Sequence, residues 1–362
     1  MGYNPIKGLN IGDLTTRLPI IQGGMGVGVS LSGLASAVAN AGGIGVIATA
    51  GIGMLEPNFA ADFLASNIKA LKNEIRKARL MTNGIIGVNI MVALSNYADM
   101  ARTAIQEGVD VIFSGAGLPL NLPQFLEGSR KTKLVPIVSS ARAAGIIFKK
   151  WIEKYNYVPD AIVVEGPMAG GHLGFKADQI ISSAYSLESL IPQVLEEVGR
   201  FEEQCQQKVP VIAAGGIYTG ADIDRFLRLG ASGVQMATRF ITTDECDADI
   251  EFKKTFLNLK QEDLVIIKSP VGLLGRAIKN KFIADVALGN KKPFQCVYHC
   301  ITTCDYKKSP YCIALALINA CRGKLKQGFV FSGSNGYRNT EIVPVRTLMD
   351  SLLEEYLCVA AV

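Results

Sequence analysis

Ala161-Ile-Val-Val-Glu-Gly-Pro-Met-Ala-Gly-Gly-His-Leu-Gly174 is the stretch from which the fold can be read. Its first four residues are a short apolar run, the signature of a strand buried on both faces. Glycines and a proline then turn the chain sharply at the strand end. His172, one of two histidines in 362 residues, is expected at the tip of that exposed loop. Imidazole exchanges protons near neutral pH, so this is a candidate catalytic position.

Outward from this stretch the same unit repeats. Pro19-Ile-Ile-Gln-Gly-Gly-Met25 is an apolar strand closed by glycines. Leu31, Leu34, Ala35 and Val38 follow at helical spacing, with Ser30 as the expected N-cap and Gly42-Gly43 as the stop. Ile44–Ala48 is the next strand. Strands follow at 85–91, 109–115, 134–139, 161–165, 209–216 and 233–239, separated by helical segments near 58–80, 96–107, 121–128, 141–154, 187–204 and 221–229. Thr219 and Gly230 bound the last of these helices. Eight Val- and Ile-rich strands without polar alternation, in about 240 residues, predict an α/β fold: a (β/α)8 barrel over 1–240. A doubly wound open sheet is the rival, disfavoured by the count of eight and by the missing GxGxxG turn.

From about 241 to 325 the rhythm breaks. Asp244 to Gln261 is charged and helical, followed by Val265-Ile-Ile-Lys-Ser269 and Gly272-Leu-Leu-Gly-Arg276. This segment is expected to be a smaller, mostly helical domain inserted after strand eight and covering the barrel mouth. Phe329–Gly336 and a helix at 344–357, within 326–362, then return to the barrel.

Composition excludes several classes. The net charge of +5 is mild and interspersed, unlike the concentrated basic face of a nucleic-acid binder. The densest basic run, Lys69 to Arg79, reads as the solvated face of an amphipathic helix, with docking of an acidic partner as the alternative. Leu18 to Leu55 lacks charge, but its apolar runs are far shorter than the ~20 residues a membrane helix needs. Met1 to Asp13 does not read as a signal peptide. The expectation is a cytoplasmic protein with eight reduced cysteines.

A barrel gathers its chemistry at the C-terminal strand ends. There the sequence sets Gln22-Gly23-Gly24-Met25, Asn89, Ser114, Glu165 with the Gly170-Gly171-His172 loop, Gly215-Gly216, and Gln235 with Ala237-Thr238. Gly215-Gly216 and Ala237-Thr238 follow strands seven and eight, where barrels often hold a phosphate on backbone N–H groups. The plainer reading of Gly215-Gly216 is a tight turn. Gln22, Asn89, Ser114 and the Met25 N–H could face a flat ligand with alternating donors and acceptors. A flavin nucleotide without a Rossmann turn is most simply FMN.

Cys296-x3-Cys300-x3-Cys304-x7-Cys312 stands apart in the inserted segment, with His299 and Cys321 nearby. Close thiolates could hold an Fe–S cluster or zinc. Spacing of i, i+4, i+8 also fits one buried helix face of packed thiols, and redox or substrate contact is a third role.

These motifs resemble the nitronate monooxygenase (2-nitropropane dioxygenase) family and the similar FMN-dependent enoyl-ACP reductases. The resemblance rests on Pro19–Met25, Gly87-Val-Asn89, Glu165-Gly-x2-Ala-Gly-Gly-His172, Ala214-Gly-Gly-Ile217 and Gln235-x2-Thr-Arg-Phe240. It covers residues 17–240 and, more loosely, 328–338. The family loop often carries a second Glu where Met168 stands here. The resemblance implies FMN on the barrel mouth, its phosphate at Gly215-Gly216 and Thr238, and His172 as catalytic residue. Under the first family an alkyl nitronate is oxidised with O2. Under the second, NAD(P)H drives reduction of an enoyl thioester, and the basic helix would suit an acidic carrier. A flavin-binding protein without turnover is the reading from another class. Self-association into a homodimer stays open.

Overall fold

The computed structural model describes residues 6–57, 59–290 and 296–360. The hairpin β1 (Asn10–Ile11) and β2 (Leu14–Thr15) opens the fold. The barrel strands are β3 (Ile20–Gln22), β4 (Gly45–Ala48), β5 (Ile86–Met91), β6 (Val111–Gly115), β7 (Lys133–Val138) and β8 (Ile162–Glu165), then β10 (Val211–Ala214) and β11 (Gly233–Met236). Between the last two groups lies β9 (Gly171–Leu173), outside the barrel. All eight barrel strands run parallel, in the order β3-β11-β10-β8-β7-β6-β5-β4. The ring closes where Ile44 N–H donates to Ile20 O at 3.0 Å and Gln22 N–H to Ile44 O at 2.9 Å. This is the expected (β/α)8 barrel.

Period-two alternation explains why the strands are apolar throughout. Val111, Phe113, Val163 and Ile212 fill the barrel interior, while their neighbours Ile112, Val164 and Ala213 pack on the outer helices. Leu9 and Ile11 of the hairpin join the interior cluster. The charge-free Leu18–Leu55 stretch is β3, the helix Ser32–Asn40 and β4. No helix among the described residues is long and apolar enough to cross a membrane.

Ser30 is not the cap of that helix: its hydroxyl accepts the Met25 N–H at 2.9 Å. The orphan N–H groups are served from afar. Asp247 accepts from Leu31, Leu34 and Gly33, and Glu74 from Ser32. Thr219 does cap Gly220–Arg228, in a capping box with Asp222. The basic run lies on the helix Phe63–Met81, where all five of its cations are paired within the chain: Lys69–Glu56, Lys72 and Arg76 with Glu107, Lys77–Glu74 and Arg79–Asp110. Little uncompensated charge is left there for an acidic partner.

After β11 the chain makes one helical turn, Thr238–Ile241, and enters the excursion. Its helices are Ile250–Leu257, Lys281–Ala287 and Ile313–Cys321. It also forms an antiparallel hairpin, β12 (Leu264–Lys268) and β13 (Leu274–Ile278), from the two stretches whose structure the sequence left unassigned. β13 pairs in turn with β9, setting Gly275 opposite His172 and Arg276 opposite Gly171. The return segment continues along β13, through Ile278 N–H to Val330 O and Ser332 N–H to Arg276 O. The chain ends in the helix Val345–Ala360, packed on Gly220–Arg228.

Candidate active site

A cavity of about 950 Å3 opens at the C-terminal strand ends. Gly23, Gly24, Met25, Asn89, Glu165, Gly170, Gly171, His172, Gly215, Gly216, Gln235, Ala237 and Thr238 all line it. The fold therefore brings seven separate stretches of the sequence to one cavity wall. Two expected residues are not in its wall. Gln22 is buried between strands, donating to Gly23 O and accepting from Val46 N–H. Ser114 is buried too, bonded to Ile90 O and the Tyr97 hydroxyl. Both side chains are spent on the barrel itself. The Met25 N–H, expected to face a ligand, is held by Ser30.

His172 is not at a loop tip but on β9, held as one rung of the sheet with β13. Its Nε2 lies 2.8 Å from Ser269 Oγ, and the ring of Phe331 meets it edge-on at 5.2 Å. Gly275 is required opposite: a Cβ there would come within 2.8 Å of the Phe331 ring. Burial disfavours the imidazolium and lowers the His172 pKa to about 4, so the ring is neutral at pH 7. Arg276, almost fully buried, fastens the loop before it by donating to Pro167 O at 2.8 Å and to Ala169 O.

Glu165 ends β8 and is the one carboxylate in the cavity wall among the described residues. It has no hydrogen-bond or ionic partner among the described residues, and burial pushes its pKa up to about 7. Asn89 and Gln235 likewise present side-chain amides with no partner among the described residues. These three polar side chains in one cavity wall have hydrogen-bonding capacity to offer a polar ligand.

The turn after β10, beside Glu165 and Gln235 in the strand register, offers backbone N–H groups to an anion. Gly215 and Gly216 have φ of +95° and +85°, which only glycine takes readily. Thr238 Oγ1 accepts the Gly333 N–H at 3.0 Å, leaving its own proton to donate. Asn335 holds the turn by donating to Gly216 O at 2.6 Å. No lysine or arginine among the described residues lines the cavity. Arg239 and Arg338 instead stand behind its wall, stacked on Tyr218 at 4.2 and 4.4 Å. Gly333, Ser334, Asn335 and Ser269 were missed as site residues, although their stretches were noted; only the long-range pairing of the excursion brings them in.

The donor set fits FMN. Backbone N–H groups and a hydroxyl match a phosphate, and the strand-end amides match a ring with alternating donors and acceptors. Gly24 packs closely on one of those amides: a Cβ on Gly24 would lie 2.4 Å from Asn89 Cβ.

A barrel with such a site is a flavin-dependent oxidoreductase scaffold, and comparison with known proteins gives the family. Residues 9–355 match the nitronate monooxygenase family, and the chain belongs to it. A probable nitronate monooxygenase of Staphylococcus aureus (strain Newman) is 28% identical over 310 residues, covering 76% of this chain and 79% of that protein. The solved structure of FabK from Thermotoga maritima superposes with a TM-score of 0.74 at 26% identity, over 96% of this chain and 94% of that one. The nitroalkane oxidase of Streptomyces ansochromogenes shares the fold, with a TM-score of 0.70 at 22% identity over 96% and 97%.

The cysteines do not form a helix face. Residues 296–312 contain no helix, and Cys296, Cys300, Cys304 and Cys312 stand half-buried around a second, small cavity.

Proposed function

We propose that the chain oxidises alkyl nitronates with FMN and O2, and that His172 is the proton-handling residue. The observation that carries this reading is the neutral, half-buried imidazole held at Ser269 in the wall of the flavin-sized cavity. In the tautomer with the proton on Nε2, Nε2–H donates to Ser269 Oγ and the Nδ1 lone pair is left for substrate. Nδ1 then takes the acidic α-proton of the parent nitroalkane, and once protonated its Nδ1–H donates a hydrogen bond to the nitronate. Bound FMN would accept the electron pair given up by the substrate and pass it on to O2. Asn89 and Gln235 orient the ring edge, while the Gly215 and Gly216 N–H groups and the Thr238 hydroxyl hold the phosphate. Phe331 and the apolar wall keep water from the proton transfer.

A second reading is NAD(P)H-dependent reduction of an enoyl thioester. The cavity volume favours it, with Leu94, Leu118, Val271, Leu273 and Leu317 offering more apolar wall than a small nitronate needs. The likeness to FabK points the same way.

The test is anaerobic. Propyl-2-nitronate is expected to bleach the bound flavin, and NADH or NADPH is not. Bleaching by a nicotinamide alone would replace the first reading with the second. No response to either would leave a flavin-binding protein without this turnover. His172→Ala should keep its flavin and lose ~10²–10⁴-fold in reduction rate; an unchanged rate would remove His172 from the mechanism.

A further inference from the structure

Half of the eight cysteines lie in one 17-residue stretch, Cys296 to Cys312, and none is in a disulfide. All four of that stretch, with His299, line the same small cavity. The backbone there has no helix or strand beyond a single bridge of Ile301 to Leu94. A packed helix stripe would have explained the gathering of four sulfurs by apolar burial. An irregular, half-buried segment does not. One thiol is already provided with a backbone donor: the His299 N–H points to Cys296 Sγ at 3.4 Å. Hydrogen bonds of this kind to sulfur are a common feature of thiolate-held iron centres.

We propose that Cys296, Cys300, Cys304 and Cys312 ligate an iron–sulfur cluster. Four thiolates with no competing carboxylate in the cavity are a soft ligand set, suited to zinc or to iron–sulfur chemistry. A single zinc would draw all four sulfurs to ~2.3 Å from one point. Among the described residues no three His, Cys, Asp or Glu side chains are gathered as a single ion requires. In a cluster the cysteines are shared among several irons, so the sulfurs surround an inorganic core rather than one atom. The spacing with three residues between successive cysteines differs from ferredoxin runs, so sequence pattern alone would pass the site over.

The location gives the site a consequence. Cys300, Ile301 and Ile313 line both the thiol cavity and the large one at the barrel mouth. Cluster binding would therefore fix part of the wall against which substrate lies. The inference does not depend on which substrate that is.

The experiment is to produce the full chain with iron supplied, purify it without oxygen, and measure iron, acid-labile sulfide and zinc. Low-temperature EPR after dithionite reduction distinguishes a cluster from the flavin. The expected result is about two to four irons with matching sulfide per chain. Cys304→Ser and Cys312→Ser should each lose most of the iron and the EPR signal, while Cys205→Ser and Cys358→Ser keep both. Parent protein free of iron as isolated, and still free after incubation with ferrous iron and sulfide, would overturn the proposal. So would stoichiometric zinc without sulfide. These two readings come from the parent chain and stand even if a variant fails to fold.

Discussion

His172 and Ser269 are 97 positions apart in sequence, yet Nε2 and Oγ meet at 2.8 Å. The contact joins the loop after β8 to the end of the β12 strand, so the excursion supplies the partner that orients the histidine. Ser269→Ala is expected to slow turnover by ~10-fold or more while leaving flavin content unchanged. A positioning role also alters pH behaviour. The parent should keep its base form down to near pH 4, whereas the variant's acid limb should move. An identical pH–rate profile in parent and variant would show that Ser269 does not position the ring.

Glu165 makes stability depend on pH. Its folded pKa is about 7, above the ordinary carboxyl value of 4.5. The folded state therefore binds more protons between those values, and its stability falls as pH rises from about 4.5 to about 7. Glu165→Gln removes this loss. Thermal unfolding should show parent and variant alike at pH 4, with the variant higher at pH 8 by up to ~3 kcal/mol. A variant less stable at pH 8 would mean that the carboxylate has a partner there.

Gly24 lies against Asn89, with no room for a methyl group. Gly24→Ala should push the Asn89 amide out of place and lower the flavin content of the purified protein. The change in far-UV circular dichroism should be small. Full flavin occupancy would show that neither residue touches the ring.

Arg276 donates to Pro167 O and Ala169 O from a buried position without a carboxylate partner. Arg276→Met leaves two carbonyl oxygens without their donor, at a cost of ~1–3 kcal/mol each. The midpoint of urea unfolding should fall, and reduction by substrate should slow as the His172 loop loosens. A variant as stable as the parent would mean that the latch is dispensable.

Asp247 receives three N–H groups at the start of the Ser32–Asn40 helix. Asp247→Ala should destabilise the protein by ~1–2 kcal/mol, the size of a lost helix cap. Calorimetry should show the loss as a lower unfolding temperature, and an unchanged one would mean that this helix start does not need the carboxylate.

The barrel was legible because its information is local. Eight apolar runs, each followed by helical spacing, specify strands buried on both faces without reference to anything distant. The strand-end glycines were legible for the same reason. Gln22 and Ser114 were misplaced because position at a strand end does not say which way a side chain points. In each case alternation along the strand turned the group toward a neighbouring strand's backbone. Ser30 was misread as a cap because the true acceptor, Asp247, lies more than two hundred residues on. The pairing of β9 with β13 was hidden because short strands of three and five residues carry almost no pattern, and their register is set only by contact.

That pairing restricts how members of the family can be recombined. A designer who wished to exchange substrate range would cut the excursion from one relative and graft it onto another's barrel. Here Gly171–Leu173 belongs to the barrel by sequence and to the excursion by hydrogen bonding. A chimera joined only at residues 241 and 325 would split one sheet between two parents and misalign the histidine. The β9 loop has to travel with the excursion as one inheritable unit.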